Sequence, residues 1–169
     1  REMIESESAH SRESVTEMQM DVVAQRAVDT IPSLLKLLEN TNENNFDEEI
    51  SVLKNWDGRM STDSVGASLF EVFFANWTEE VAAAQFPINL VPLMAAASSG
   101  LSTELLTKDT SNWFASGERA KAARRAMDKT IDNLSKDAGQ DKSKWNWGTI
   151  HKVHLYHPLA DLGPIFNRL

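Results

Sequence analysis

Apolar residues recur every three to five positions along residues 65–84, where Val65, Leu69, Val72, Phe73, Trp77, Val81 and Ala84 share one helical face. Phe70, Phe74 and Ala75 widen that stripe well beyond a coiled-coil seam, which predicts a helix nearly surrounded by protein. Ser61 or Thr62 is expected to cap its first turn, and Asp63 to place negative charge where the helix dipole favours it. Asp57-Gly58 just upstream is a turn signal, because glycine accepts positive φ without steric cost. Residues 55–85 are thus the stretch about which the chain is organised.

The remaining periodicity is also helical. Residues 1–13 are polar and weakly periodic, a lead-in or loop. Ser14-Val15-Thr16-Glu17 has capping-box spacing and predicts a helix with Val15, Met18, Val22, Val28 and Ile31 inward. Pro32 is expected to end or kink it, with a second helical piece over residues 33–39. Residues 40–45 read as a loop. Residues 47–54 read as a short helix with Ile50 and Leu53 inward, closing on Trp56. Beyond the Phe86-Pro87 break, residues 88–97 form a helix or irregular apolar segment ended by Ser98-Ser99-Gly100. A helical turn is expected over 102–107, and a loop carrying Trp113 and Phe114 over 109–116. A second long helix spans 118–136, with Ala123, Met127, Ile131 and Leu134 inside and Lys121, Arg124, Arg125, Asp128, Lys129 and Asp132 on other faces. Gly139 ends it, and a polar loop covers 141–146. From about residue 145 the tail is expected to be irregular or extended, with Pro158, Gly163 and Pro164 breaking it up. The pattern therefore predicts a single, mainly α, irregular helical domain over residues 1–169.

Composition narrows the partners. With 169 residues, 41% apolar and 25% charged, the chain has the length and balance of one ordinary globular domain. A net charge of -8 and the lack of any basic–aromatic patch argue against nucleic acid. Cysteine is absent, which removes disulfides and thiolate chemistry. No apolar run reaches the ~20 residues of a membrane span.

Candidate chemistry is sparse. His151, His154 and His157 repeat every third residue, the one array with the look of a metal site, and Asp161 is the nearest downstream carboxylate. The His-Glu-x-x-His signature is missing, so they read as hydrogen-bonded packing residues. Asp57 and Asp63 are accounted for by turn and cap duties rather than paired-acid catalysis. Glu43, Asp47, Glu48 and Glu49 form an acidic cluster without calcium-loop spacing, read as a solvated helix start. Trp56, Trp77, Trp113, Trp145 and Trp147 are spread over separate elements, which favours packing over a ligand platform. No Gly-x-Ser-x-Gly elbow or glycine-rich phosphate loop occurs.

Longer stretches carry a resemblance. Thr16-Glu17-Met18-Gln19-Met20-Asp21-Val22, then Ala24 and Ile31-Pro32-Ser33-Leu34-Leu35, begin an ordered series. It continues through Leu53-Lys54-Asn55-Trp56-Asp57-Gly58-Arg59-Met60 and Asp63-Ser64-Val65-Gly66-Ala67-Ser68-Leu69-Phe70. Ser111-Asn112-Trp113-Phe114, Trp145-Asn146-Trp147-Gly148-Thr149-Ile150-His151 and His157-Pro158-Leu159 complete it. In order and separation the series resembles the large chain of the penicillin amidase (penicillin acylase, acyl-homoserine-lactone acylase) family. The resemblance implies an N-terminal-nucleophile hydrolase with an αββα core, exported to the periplasm or secreted and self-cleaved into a small and a large chain. In that family a freed serine attacks an amide carbonyl with its own α-amine as base, and an Asn side chain and backbone N–H groups hold the oxyanion. The nucleophile, the oxyanion Asn and the calcium ligands are expected upstream of the matching stretch, and a Gly-Gly-Asp segment after Phe166-Asn167-Arg168. Residue 1 is Arg, not Ser.

No catalytic, cofactor-binding or metal-ligating residue is therefore assigned within the chain. It is expected to be an excised middle portion of the large chain, inert alone and without cofactor, walling the substrate cleft of a hydrolase acting on penicillin-type side chains or acyl-homoserine lactones. Those substrates would place the parent in antibiotic biosynthesis or quorum quenching. Its expected partners are the rest of the large chain and the small chain, and the isolated segment should self-associate through apolar surface. The alternative is a non-enzymatic helical interaction module gripping a partner through its tryptophans or acidic face, and a weaker third is a His-dependent metal protein.

Overall fold

A computed structural model describes residues 2–39 and 46–153. The chain runs α1 (Glu2–Glu5), α2 (Arg12–Gln19), α3 (Gln25–Glu39), α4 (Asp47–Asn55), α5 (Val65–Ala83), α6 (Val91–Ala97), α7 (Ser99–Thr107) and α8 (Glu118–Ala138). A 3-10 turn (Lys142–Lys144) and α9 (Trp147–Ile150) follow. The fold is mainly helical. Among the described residues there is no strand, and Val23 and Arg59 make an isolated antiparallel bridge.

Helix α5 is the axis of the core, as its stripe predicts. It packs along α8 and against α4, α6, α7 and α9, while α3 lies across α4, α7 and α8. Gly66 to Phe70 are all buried, so the N-terminal half of α5 is enclosed on every side. Phe70, Phe73 and Trp77 are wholly buried. Each such burial contributes about 1.5–3 kcal/mol of transfer free energy. Ala75 and Ala84, expected in the stripe, are exposed. Buried Asn76 and Ala82 extend the inner face instead, because α8 and α6 approach from the flanks.

Close approach explains two glycines. A Cβ on Gly66 would sit 2.4 Å from Trp56 Cγ, so the indole closing α4 lies directly on the α5 backbone. Trp56 then reaches the Phe70 ring at 6.0 Å and donates its indole N–H to Arg59 O. Gly58 has φ 76°, the turn conformation expected of Asp57-Gly58, and a Cβ there would meet Val28 Cγ2 at 2.8 Å. Asp57 Oδ1 accepts the Arg59 N–H and completes that turn.

Several boundaries differ from expectation. Ser64, not Ser61 or Thr62, caps α5 by accepting the Ala67 N–H. The carbonyls of Thr62 and Ser64 instead accept Gly148 N–H at 2.7 Å and Trp147 N–H at 3.0 Å, docking α9 on this loop. Likewise Ser11, not Ser14, caps α2. The break falls at residues 20–24 rather than at Pro32. There Ala24 N–H donates to Gly58 O and Met60 N–H to Val22 O, drawing those groups out of a helix and into the bridge. Helix α3 then runs straight through Pro32. The proline deprives the Val28 carbonyl of its intrahelical donor, but both residues are exposed, which leaves that side of the helix open to solvent. Shifting the helix changes its inner face to Ala27, Thr30, Leu34 and Leu38, leaving Val15, Val22 and Val28 exposed.

Downstream, Pro92 sits in the first turn of α6, where its missing N–H has no cost. Ser98 separates α6 from α7, which starts at Ser99 and takes in Gly100, expected to end the preceding segment. The loop over 109–116 is as expected, and Asp109 holds it by accepting the Trp113 and Phe114 N–H groups at 2.8 and 3.0 Å. Burial works against the Asp109 carboxylate, but those backbone bonds outweigh it and leave its pKa below the ordinary value. Helix α8 ends at Gly139 and buries its predicted stripe apart from partly exposed Ile131. Arg124, placed on an outer face by the sequence, is buried, and its guanidinium donates to Leu37 O at 3.2 Å. The chain from 145, expected irregular or extended, opens with buried Trp145 and the single turn of α9. The loop over 40–45 and the tail over 154–169 lie outside the described residues.

Candidate functional site

The sequence candidates separate in space. His151 is exposed and stacks face to face on Trp147, with centroids 4.4 Å apart and planes 7° apart, while His154, His157 and Asp161 lie outside the described residues. Asp57 does turn duty. Asp63 is exposed, so the two carboxylates make no cleft pair. Glu43 also lies outside the described residues. Glu48 and Glu49 both take Lys142 Nζ, and Glu49 is buried rather than solvated, correcting its reading as part of an exposed helix start. The tryptophans do pack. Trp56, Trp77, Trp113 and Trp145 each donate the indole N–H to a backbone carbonyl, of Arg59, Ser102, Val81 and Gly139 respectively. Among the described residues, no three His, Asp or Glu side chains converge as a metal site.

What the structure does assemble is a cleft of about 340 Å³ between α5, α8 and α9. Helix α5 supplies Glu71 and Asn76, α8 supplies Asn133 and Asp137, and α9 brings Trp147 with His151 at its end. Backbone bonds from Trp147 and Gly148 to the α5 cap loop place this last wall. At the floor, Asn133 Nδ2 donates to Asn76 Oδ1 at 3.4 Å, and Asn76 Nδ2 to buried Thr130 Oγ1 at 3.0 Å. Glu71 stands partly buried on the central core helix α5. Burial pushes its carboxyl above the ordinary 4.5, against the opposing pull of Arg26 and His151.

That shift has a sign. A carboxyl raised in the folded state binds its proton more tightly there than in the unfolded chain. Its contribution to stability is therefore greatest at acid pH and declines as pH rises from the ordinary value through the raised one. Glu71→Gln, which cannot ionise, is expected to flatten this decline. Urea midpoints measured between about pH 4 and 7 should fall less in E71Q than in the unaltered protein, and parallel curves would contradict the assignment.

Of these cleft residues, the sequence singles out His151, as part of a metal array, and Trp147, among the tryptophans, but not Glu71, Asn76, Asn133 or Asp137. The available signal was a glutamate and an asparagine set inside the α5 apolar stripe, five residues apart. Two further concavities, of about 300 and 320 Å³, differ in character. In the first, lined by Glu80, Glu118 and Arg125, the charges satisfy one another. The second, between Val81, Met94 and Leu101, has a mainly apolar lining.

A search of curated proteins finds no match. The family model described as penicillin amidase, by contrast, matches residues 1–169, the full length given. That match agrees with the ordered series of stretches from Thr16 to Leu159, and the chain belongs to the penicillin amidase family.

Proposed function

We propose that this chain is a helical segment of an N-terminal-nucleophile amidohydrolase that cleaves N-acyl amides, either penicillin-type side chains or acyl-homoserine lactones. The observation that carries this reading is the family match along all 169 residues. In the parent, a serine oxygen attacks the amide carbonyl while its proton passes to the serine's own α-amine. That proton then goes to the departing amine, and water hydrolyses the acyl-enzyme. Those reacting groups, and any calcium ligands, belong to other portions of the parent, and the parent acts in the periplasm or outside the cell. This segment's work is to hold a wall: Trp56, Phe70, Phe74 and Trp77 lock α5 in place, with Phe70 and Phe74 stacked 6.0 Å apart. The exposed apolar side chains of Ile88 and Leu93, at and before α6, face the rest of the large chain.

The test is release of p-nitroaniline from arylacetyl and fatty-acyl p-nitroanilides by the intact parent and by residues 1–169 alone. The parent is expected to hydrolyse one acyl class and the isolated segment neither. Turnover by the isolated segment that a single substitution abolishes would overturn the reading, as would a parent inactive on both classes.

A further inference from the structure

The cleft between α5, α8 and α9 sets two carboxylates against a single ionisable imidazole, that of His151. Glu71 and Asp137 both line it, and neither has a hydrogen bond or ion pair among the described residues. Arg26, which lowers the pKa of Glu71 from a distance, is held over the Phe74 ring at 4.4 Å from its centroid. In the neighbouring concavity, Arg125 neutralises Glu80 at 2.7 Å and lies 3.8 Å from Glu118, so no comparable deficit exists there. The deficit is specific to one place.

The rest of the lining says what carries the missing charge. Trp147 backed by His151, with Val72 and Ile150, makes a largely apolar wall. At about 340 Å³ the cleft has the size of a small-molecule site rather than of a bare ion. An indole face also attracts cations through its quadrupole.

We propose that this cleft binds a small organic ammonium ion on an apolar body, its charge drawn to Glu71 and Asp137 and its body lying against Trp147. The ammonium N–H groups suit the carboxylates, since charge-assisted bonds are roughly twice as strong as neutral ones. The raised proton affinity of Glu71 fits the same picture: the site disfavours its own anion until a counter-charge arrives. This inference does not depend on the amidase reading, because it concerns equilibrium binding at residues that need no nucleophile nearby.

Calorimetric titration of the intact protein with benzylammonium chloride tests it. Saturable binding with a Kd on the order of 1 mM is expected. Benzyl alcohol, the same shape without the charge, should bind at least about tenfold more weakly, and Glu71→Gln and Asp137→Asn should each weaken the ammonium by about tenfold. Asp137→Asn should keep the melting temperature, and Glu71→Gln should melt no lower than the unaltered protein at neutral pH, because it removes a carboxylate whose charge burial disfavours. Equal binding of the alcohol, unchanged affinity in both variants, or no saturable heat up to about 50 mM would each overturn the proposal. Nα-acetyl-lysine amide, titrated in parallel, separates two sources of the same chemistry. Tighter binding than benzylammonium identifies a lysine side chain presented by a polypeptide, and weaker binding a free amine.

Discussion

Replacing Trp77 with alanine is expected to destabilise the protein by about 3–5 kcal/mol, the range for emptying a large aromatic site in a core. Trp77 is wholly buried on α5 and lies where two other elements meet. Its ring stacks on Phe114 of the 109–116 loop at 5.4 Å and 25°, and its indole N–H donates to Ser102 O of α7 at 2.8 Å. Truncation therefore leaves a cavity, removes a buried hydrogen bond to Ser102 O, and leaves a loop aromatic without its stacking partner. The surroundings have little freedom to collapse, because Asp109 fixes the backbone at Trp113 and Phe114. Urea unfolding should show a large drop in midpoint at unchanged slope. Trp77→Phe separates the terms: it keeps a ring against Phe114 but loses the donor to Ser102, and should cost about 1–3 kcal/mol. An alanine variant within about 1 kcal/mol of the unaltered protein would mean that Trp77 does not pin these elements together.

The same residue shows why this core was legible in the sequence. Trp77 belongs to a stripe repeated over five turns of one helix, and a signal of that length survives local errors in capping. Helix α8 was legible for the same reason, down to its end at Gly139. What was not legible depends on partners far along the chain. Ser64 rather than Ser61 caps α5 because Thr62 and Ser64 offer their carbonyls to α9, more than eighty residues away. Pro32 fails to break α3 because the real break is made by Gly58 and Met60, which draw the chain before α3 into a bridge. Arg124 sits inside because Leu37 O is there to receive it, 87 residues upstream. The periodicity of α8 says only that a cation occupies that turn. The cleft escaped for a related reason. Glu71, Asn76, Asn133 and Asp137 mean nothing singly, and they become a site only when α9 folds Trp147 across them.

Lys142 is the strongest instance of such a distant pairing, and Lys142→Met should destabilise the fold by about 3 kcal/mol. Its Nζ lies 2.7 Å from Glu48 Oε2 and 2.6 Å from Glu49 Oε1, joining the 3-10 turn after α8 to α4. The two carboxylates are unequal. Glu48 is 66% exposed, and its share is a surface pair of about 0–1 kcal/mol. Glu49 is 3% exposed, so removing Lys142 strands a carboxylate without water. One-third exposure of the lysine itself keeps the loss at the lower end of the 3–5 kcal/mol range for a broken buried pair. Removing both partners in Glu49→Met/Lys142→Met should recover most of the loss, since the desolvation penalty disappears with the attraction. The pair also sets an alkaline limit. Burial disfavours the Lys142 ammonium, but its hydrogen bonds to Glu48 and Glu49 outweigh that and raise its pKa above 10.5. A raised lysine stabilises fully below its unfolded pKa and loses that contribution as pH rises through the folded one. The advantage of the unaltered protein over K142M should therefore hold up to about pH 10 and shrink beyond it. Urea midpoints across that window would show it, and identical midpoints for the two proteins at pH 8 would mean that Glu49 finds its counter-charge elsewhere.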